Sequence, residues 1–328
     1  MTKELQFELW KECNSNCSFC YLGKNNKCSA HDKIRSIDNV IKTISNVDLY
    51  TKDRYDTIAL IGGEFFQGQL DSSDVKIKFF KLIKHINQLN IDGYIKNIWI
   101  SASLLIGDQQ DLYDTIDLIT NKKCLWILTS YDSIGRFHSL KMEETWKYHM
   151  KRLKELYPDV KFNTTMILTG DFINKYLDDK ITIKAFKKQF STEVFLKQCT
   201  FNKDLYSSKI DVNNTIGNFF PSRKDFLKFL CKFKKNESLE DWKKLLNSEY
   251  RANTLYKKIG RKNMQIIRDK FTGNESSFRN TSNGYVLGND YDELHDTMEC
   301  NHSKVYDAYI DESGCMLCDK EIINNCYE

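Results

Sequence analysis

The chain has 328 residues, 41% of them hydrophobic, and a formal net charge of +4; that is length enough for one large or two modest domains with a sizeable core. No apolar run approaches the roughly 20 residues that cross a bilayer, and the opening Met-Thr-Lys-Glu-Leu lacks the apolar core of a signal peptide, so no membrane is expected and the location expected is cytoplasmic. Eleven cysteines without a secretory signal then point to metal binding rather than to a disulfide framework.

Residues 5–10 alternate apolar and polar side chains, the pattern of a strand. Directly after them stand Cys13, Cys17 and Cys20 at C-x3-C-x2-C spacing. Three thiolates in one loop can hold three corners of a cubane iron–sulfur cluster. Since four cysteines complete such a cluster, three leave one iron open to a non-protein ligand, as an open position does at catalytic zinc. The spacing by itself suits zinc equally. Cys28 is read as a bystander thiol. Ile37, Val40, Ile41 and Ile44 recur at helical spacing. The next strand, 57–61, ends in Gly62-Gly63-Glu64.

The triplet after the first strand, followed by Gly-Gly-Glu after the second, resembles the radical S-adenosylmethionine (SAM) superfamily. The resemblance implies a 4Fe-4S cluster on Cys13, Cys17 and Cys20, with SAM chelating the open iron. An electron from the cluster then splits the sulfonium and yields a 5'-deoxyadenosyl radical. It implies too that Gly62, Gly63 and Glu64 present backbone groups to the SAM amino group, where a side chain would block the approach. Phe19 takes the place of an aromatic packed near the adenine, or else of an ordinary core phenylalanine.

Further along, 75–89 reads as a helix, 97–105 as a strand, 112–119 as a helix and 124–130 as a nearly continuous apolar strand covered on both faces. The polar stretch from Thr129 to Arg136 ends that strand, the place where barrel enzymes keep their chemistry. By resemblance Ser130, in a Ser-x-Asp, and Arg136 contact the SAM carboxylate and ribose; the other reading is a solvated loop with a surface arginine. A helix is expected over 143–156, a strand over 161–169, a short helix over 172–177 and a strand over 193–198. Asn163 on the fifth strand falls where the family contacts the ribose. Six strand–helix alternations predict parallel strands joined by crossovers. The resemblance narrows the fold to an α/β, TIM-like partial (β/α)6 barrel, residues 1–220, with a small cysteine-rich C-terminal extension.

The region 221–290 is expected to be a basic helical linker, with 271–290 a loop. Between residues 222 and 280 sixteen Lys/Arg stand against seven Asp/Glu. That is either the wet face of amphipathic helices or a footprint for nucleic acid or an acidic peptide leader. In 291–328, Cys300, Cys315, Cys318 and Cys326 supply four thiolates. With Gly314 they resemble the SPASM and Twitch extensions of radical SAM enzymes, although one residue is missing between Gly314 and Cys318 relative to the usual pattern. One auxiliary 4Fe-4S cluster is implied; structural zinc, with His302 able to replace a thiolate, is the alternative. If Cys315 faces away, Cys199 or a substrate completes the set. The resemblance implies an enzyme that takes hydrogen from a peptide or protein side chain and is reduced by flavodoxin or ferredoxin. A nucleotide or nucleic acid substrate is the second reading, and a non-enzymatic zinc-binding module the third.

Overall fold

The computed structural model describes residues 4–15, 17, 27–51, 55–105, 109–132, 135–198, 223–241, 245, 277–280 and 284–288. Strand β1 (Glu4–Glu8) pairs in parallel with β2 (Thr57–Ile61), and the series continues through β3 (Asn97–Ser101), β4 (Leu125–Tyr131), β5 (Lys161–Leu168) and β6 (Glu193–Gln198). Six strands thus stand side by side in chain order, all pointing one way. This is the order of a β/α barrel wall left unclosed; a doubly wound sheet reverses direction of travel at its first strand. The α/β class and the six parallel strands are as expected.

The helices α1 (Ala30–Ile44), α2 (Asp48–Thr51), α3 (Ser73–Ile91), α4 (Gln110–Asp117), α5 (Leu140–Leu156), α6 (Gly170–Leu177) and α7 (Ile183–Phe190) lie between these strands, and α8 (Arg223–Asn236) follows. Their starts are written in the sequence. Ser29, Ser139, Thr169 and Thr182 each accept a first-turn amide, from Asp32, Met142, Phe172 and Ala185, which satisfies a donor that the helix itself leaves open.

Strand periodicity divides the sheet into two faces. On one face Ile58, Leu60, Ile98, Ile100, Leu125 and Ile127 are fully buried. On the other, Trp99, Ser101, Trp126, Leu128, Ser130, Asn163 and Thr165 are only half-buried. Helices cover the dry face, α3 with Phe79, Leu82, Ile83 and Ile86 and α5 with Trp146, Met150 and Leu153. Trp146 is the hub: its indole N–H donates to Thr129 Oγ1 at 3.0 Å, and Tyr131, Phe186 and Phe190 pack against its ring. Among the described residues no helix is long and apolar enough to cross a membrane.

The structure differs from the sequence reading in four places, one of them helix α2, where no element was expected. The third strand stops at Ser101 because the Ser103 amide is taken by the Glu64 carboxylate and Leu104 turns to φ 61°. Helix α7 stands where no element was expected. Within 271–290, expected to be loop, β8 (Gly284–Gly288) pairs in parallel with β1, and β7 (Ser277–Asn280) pairs antiparallel with β8. Without β8, β1 would expose a row of unpaired backbone groups.

The described start of the basic region is an amphipathic helix. Phe229, Leu230 and Phe233 of α8 are fully buried, with Phe229 against Tyr176 of α6 at 5.1 Å. Lys228, Lys234 and Lys235 are exposed.

Candidate functional site

Parallel strands bring their carboxyl ends to one edge, and there the segment after β1 meets the turn after β2. Leu9 N–H donates to the carbonyl of Ile61, the last residue of β2, at 3.1 Å, extending the ladder past the end of β1. The Gly63 amide then donates to the Trp10 carbonyl at 2.7 Å and the Glu64 amide to the Glu12 carbonyl at 2.9 Å. This approach requires glycine. A Cβ on Gly62 would lie 2.5 Å from the Trp10 carbonyl oxygen, and one on Gly63 would lie 2.0 Å from that of Glu12.

Glu64 fastens the turn from inside. It is 3% exposed; Oε1 accepts from the amides of Phe65 and Phe66 at 2.8 and 3.0 Å, and Oε2 from that of Ser103 at 2.6 Å. Its carbonyl accepts the Trp10 indole N–H at 2.8 Å. One carboxylate thus ties the ends of β2 and β3 together and seats Trp10 over the join.

Cys13 is half-buried and Cys17 buried, and neither is in a disulfide. The Ser15 amide donates to Cys13 Sγ at 3.4 Å. Around them, Asn14 Nδ2 donates to the Gln67 carbonyl at 3.0 Å, Gln67 Nε2 reaches both Ser15 Oγ and Ser103 Oγ, and Ser36 Oγ donates to the Leu9 carbonyl at 2.6 Å. His138 Nε2 meets the Ser15 carbonyl at 3.0 Å; a carbonyl only accepts, so this nitrogen carries the proton.

The segment after β4 supplies charge. Asp132, buried, accepts the Gly135 amide at 2.6 Å through Oδ1, and its carbonyl accepts the Phe137 amide at 3.2 Å, a turn that folds the chain back. Burial pushes the Cys17 thiol up. The Arg136 guanidinium opposes that, while Cys13 and Asp132 add to it. Arg136 Nε is buried without a hydrogen-bond partner among the described residues.

No family model matches this chain, and no curated protein is similar to it. The solved structures similar to it include two of one protein. One is the crystal structure of Streptococcus suis SuiB, at 12% identity and a TM-score of 0.47, covering 73% of this chain and 48% of that one. The other is SuiB bound to the precursor peptide SuiA, at 14% identity and a TM-score of 0.40, covering 70% of this chain and 44% of that one. The chain spans about half the length of these structures.

Of the residues singled out in the sequence, the structure brings Cys13, Cys17, Gly62, Gly63, Glu64 and Arg136 to one place. Ser130 and Asn163 stand on the half-buried face of β4 and β5, where Ser130 pairs in register with Thr165 and Asn163 with Leu128. Neither is hydrogen-bonded to the cysteine loop among the described residues, and Asn163 Oδ1 is buried without a partner. Phe19, Cys20, Cys199, Cys300, His302, Cys315, Cys318 and Cys326 lie outside the described residues. Among the described residues no three His, Cys, Asp or Glu side chains are grouped as a metal would need. Cys28 packs at the edge of the core.

The sequence reading missed Lys33, Glu12, Ser36, Gln67 and His138. For Lys33 a signal existed: it sits four residues before Ile37, in the apolar stripe of α1, where a lysine is out of place unless it has a partner.

Proposed function

We propose that the chain is a radical SAM enzyme whose cluster is held by Cys13, Cys17 and Cys20 at the carboxyl edge of the parallel sheet. The observation that carries this reading is the join described above. The turn's Gly63 and Glu64 amides hold the carbonyls of Trp10 and Glu12, Cys13 follows Glu12 directly, and Cys17 is buried near the Arg136 guanidinium. Thiolates are the ligands an iron–sulfur cluster takes.

The fit to SAM rests on two orphaned atoms. A buried polar atom without a partner asks for a ligand or water. Arg136 Nε is a donor suited to a carboxylate, and Asn163 Oδ1 is an acceptor suited to a ribose hydroxyl. Ser130 lies on the same face as Asn163, one strand over. Glu64 holds the turn, and Gly62 and Gly63 let it meet the loop. When bound, the cluster supplies the electron that cleaves the SAM sulfonium to a 5'-deoxyadenosyl radical able to take hydrogen from an unactivated carbon. The chain's part is to hold the loop, neutralise a carboxylate through Arg136 and keep water out. Cys17 is 6% exposed, and Trp10 and Phe65, which pack edge to face at 5.1 Å, wall the site.

The substrate in this reading is a peptide or protein side chain, and Cys300, Cys315, Cys318 and Cys326 form an auxiliary 4Fe-4S site in an extension covering 291–328; both rest on the SPASM/Twitch resemblance. The electron donor is flavodoxin or ferredoxin.

The test is to incubate anaerobically reconstituted protein with dithionite and SAM and to assay 5'-deoxyadenosine. Formation that disappears on combining Cys13→Ala, Cys17→Ala and Cys20→Ala supports the reading. Iron-loaded protein that makes none, or variants that make as much, contradicts it.

A further inference from the structure

Lys33 is 6% exposed, yet it projects from the apolar stripe of α1. Its ammonium lies 2.6 Å from Glu12 Oε2, donates to the Gln69 carbonyl at 3.0 Å and sits 5.4 Å above the Trp10 ring. Each partner belongs to the site. Glu12 immediately precedes Cys13, Trp10 carries the carbonyl that receives the Gly63 amide, and Gln69 lies beyond the Gly-Gly-Glu turn. Three residues along α1, Ser36 holds the Leu9 carbonyl at 2.6 Å.

Apolar residues in place of both Lys33 and the half-buried Glu12 would cost little stability, because replacing both members of such an ion pair by packed hydrophobic groups is often neutral or better. A buried ammonium therefore contributes geometry, fixing where the chain must run. We infer that Lys33 is a positioning residue that, with Ser36, preforms the cysteine loop before any metal arrives. Helix α1 is the rigid body to which residues 9–12 and the loop after β2 are both tied, so the loop is set by the fold and the cluster fills a place already shaped.

This inference rests on the proposed function for its purpose, but its test does not need the cluster. In metal-free, full-length protein the rate of Cys17 alkylation by iodoacetamide, read by mass spectrometry, reports how often the loop opens. The variant combining Lys33→Met with Glu12→Gln removes both charges and leaves neither one buried alone. Cys17 should react about tenfold faster in it, with the melting temperature little changed, because the opening is local. Ser36→Ala, which deletes one hydroxyl, should give a smaller increase of about threefold. After anaerobic reconstitution both variants should retain less iron than wild type. Unchanged alkylation rates in both variants overturn the inference. So does an increase matched by equal acceleration at the core thiol Cys124, which would mean global unfolding. If wild type binds no iron, the enzymatic reading fails while the alkylation result still decides whether Lys33 sets the loop.

Discussion

Gly63 has two duties that the sequence could not separate. Gly-Gly-Glu was legible as a turn that admits a close approach, and the structure shows that the cysteine loop itself makes one. The Gly63 amide is bonded to Trp10, and its Cα faces the Glu12 carbonyl. Gly63→Ala would force backbone against backbone, and we expect a loss of about 2 kcal/mol or more in urea unfolding. Gly93→Ala is the comparison. Among the described residues nothing would lie within 4 Å of a Cβ added there, although its φ of 78° is a glycine conformation, so a loss of only about 1 kcal/mol is expected. Equal costs for the two would mean that the approach at Gly63 is not tight. Glu64→Gln keeps the size but replaces one acceptor oxygen with a donor, facing an amide that donates to it. A loss of about 2 kcal/mol in the same measurement is expected, and a neutral result would remove Glu64 as the pin between β2 and β3.

At the scale of elements, strands β2, β4, β5 and β6 were legible to within a residue at each end, β2 and β4 as largely apolar runs, β5 by alternation of apolar and polar residues, and β6 by its Val194-Phe195-Leu196 centre. The end of β3 was not, because what stops it is a carboxylate from another turn. Helix α7 carried its own signals, Thr182 as a cap and Ile183, Phe186 and Phe190 on one face, in a stretch too short to stand out. Strands β7 and β8 are flanked by Gly, Ser and Asn, and only Tyr285-Val286-Leu287 speaks for a strand.

Helix α5 allows a pH test. Glu143 is half-buried, which works against its charge, yet hydrogen bonds from Lys147 and Tyr131 hold its carboxyl below the usual range. A carboxyl with a depressed folded pKa stabilises above its unfolded value of about 4.3, and the gain fades as pH falls through the folded value. Wild type should therefore be more stable than Glu143→Gln at pH 7, and the difference should shrink as pH falls below the unfolded value and vanish once the carboxyl is protonated in both states. A difference that is constant with pH would show that the carboxylate charge is irrelevant there.

For the whole molecule, what matters is that six parallel strands in chain order deliver the end of β1, the Gly-Gly-Glu turn and the Asp132–Arg136 turn to one edge. The triplet spacing and the order of motifs made that edge legible from the sequence. The clasp by Lys33 and Ser36 was not, since it depends on which face of α1 meets the loop. The most direct test is iron and acid-labile sulfide per chain, with the visible spectrum, in anaerobically reconstituted wild type and in the variant combining Cys13→Ala, Cys17→Ala and Cys20→Ala. A brown wild type, and a loss of about four irons in the variant, is the result we predict. Colourless wild type carrying stoichiometric zinc, or iron unchanged by the triple substitution, would contradict a cluster at this edge.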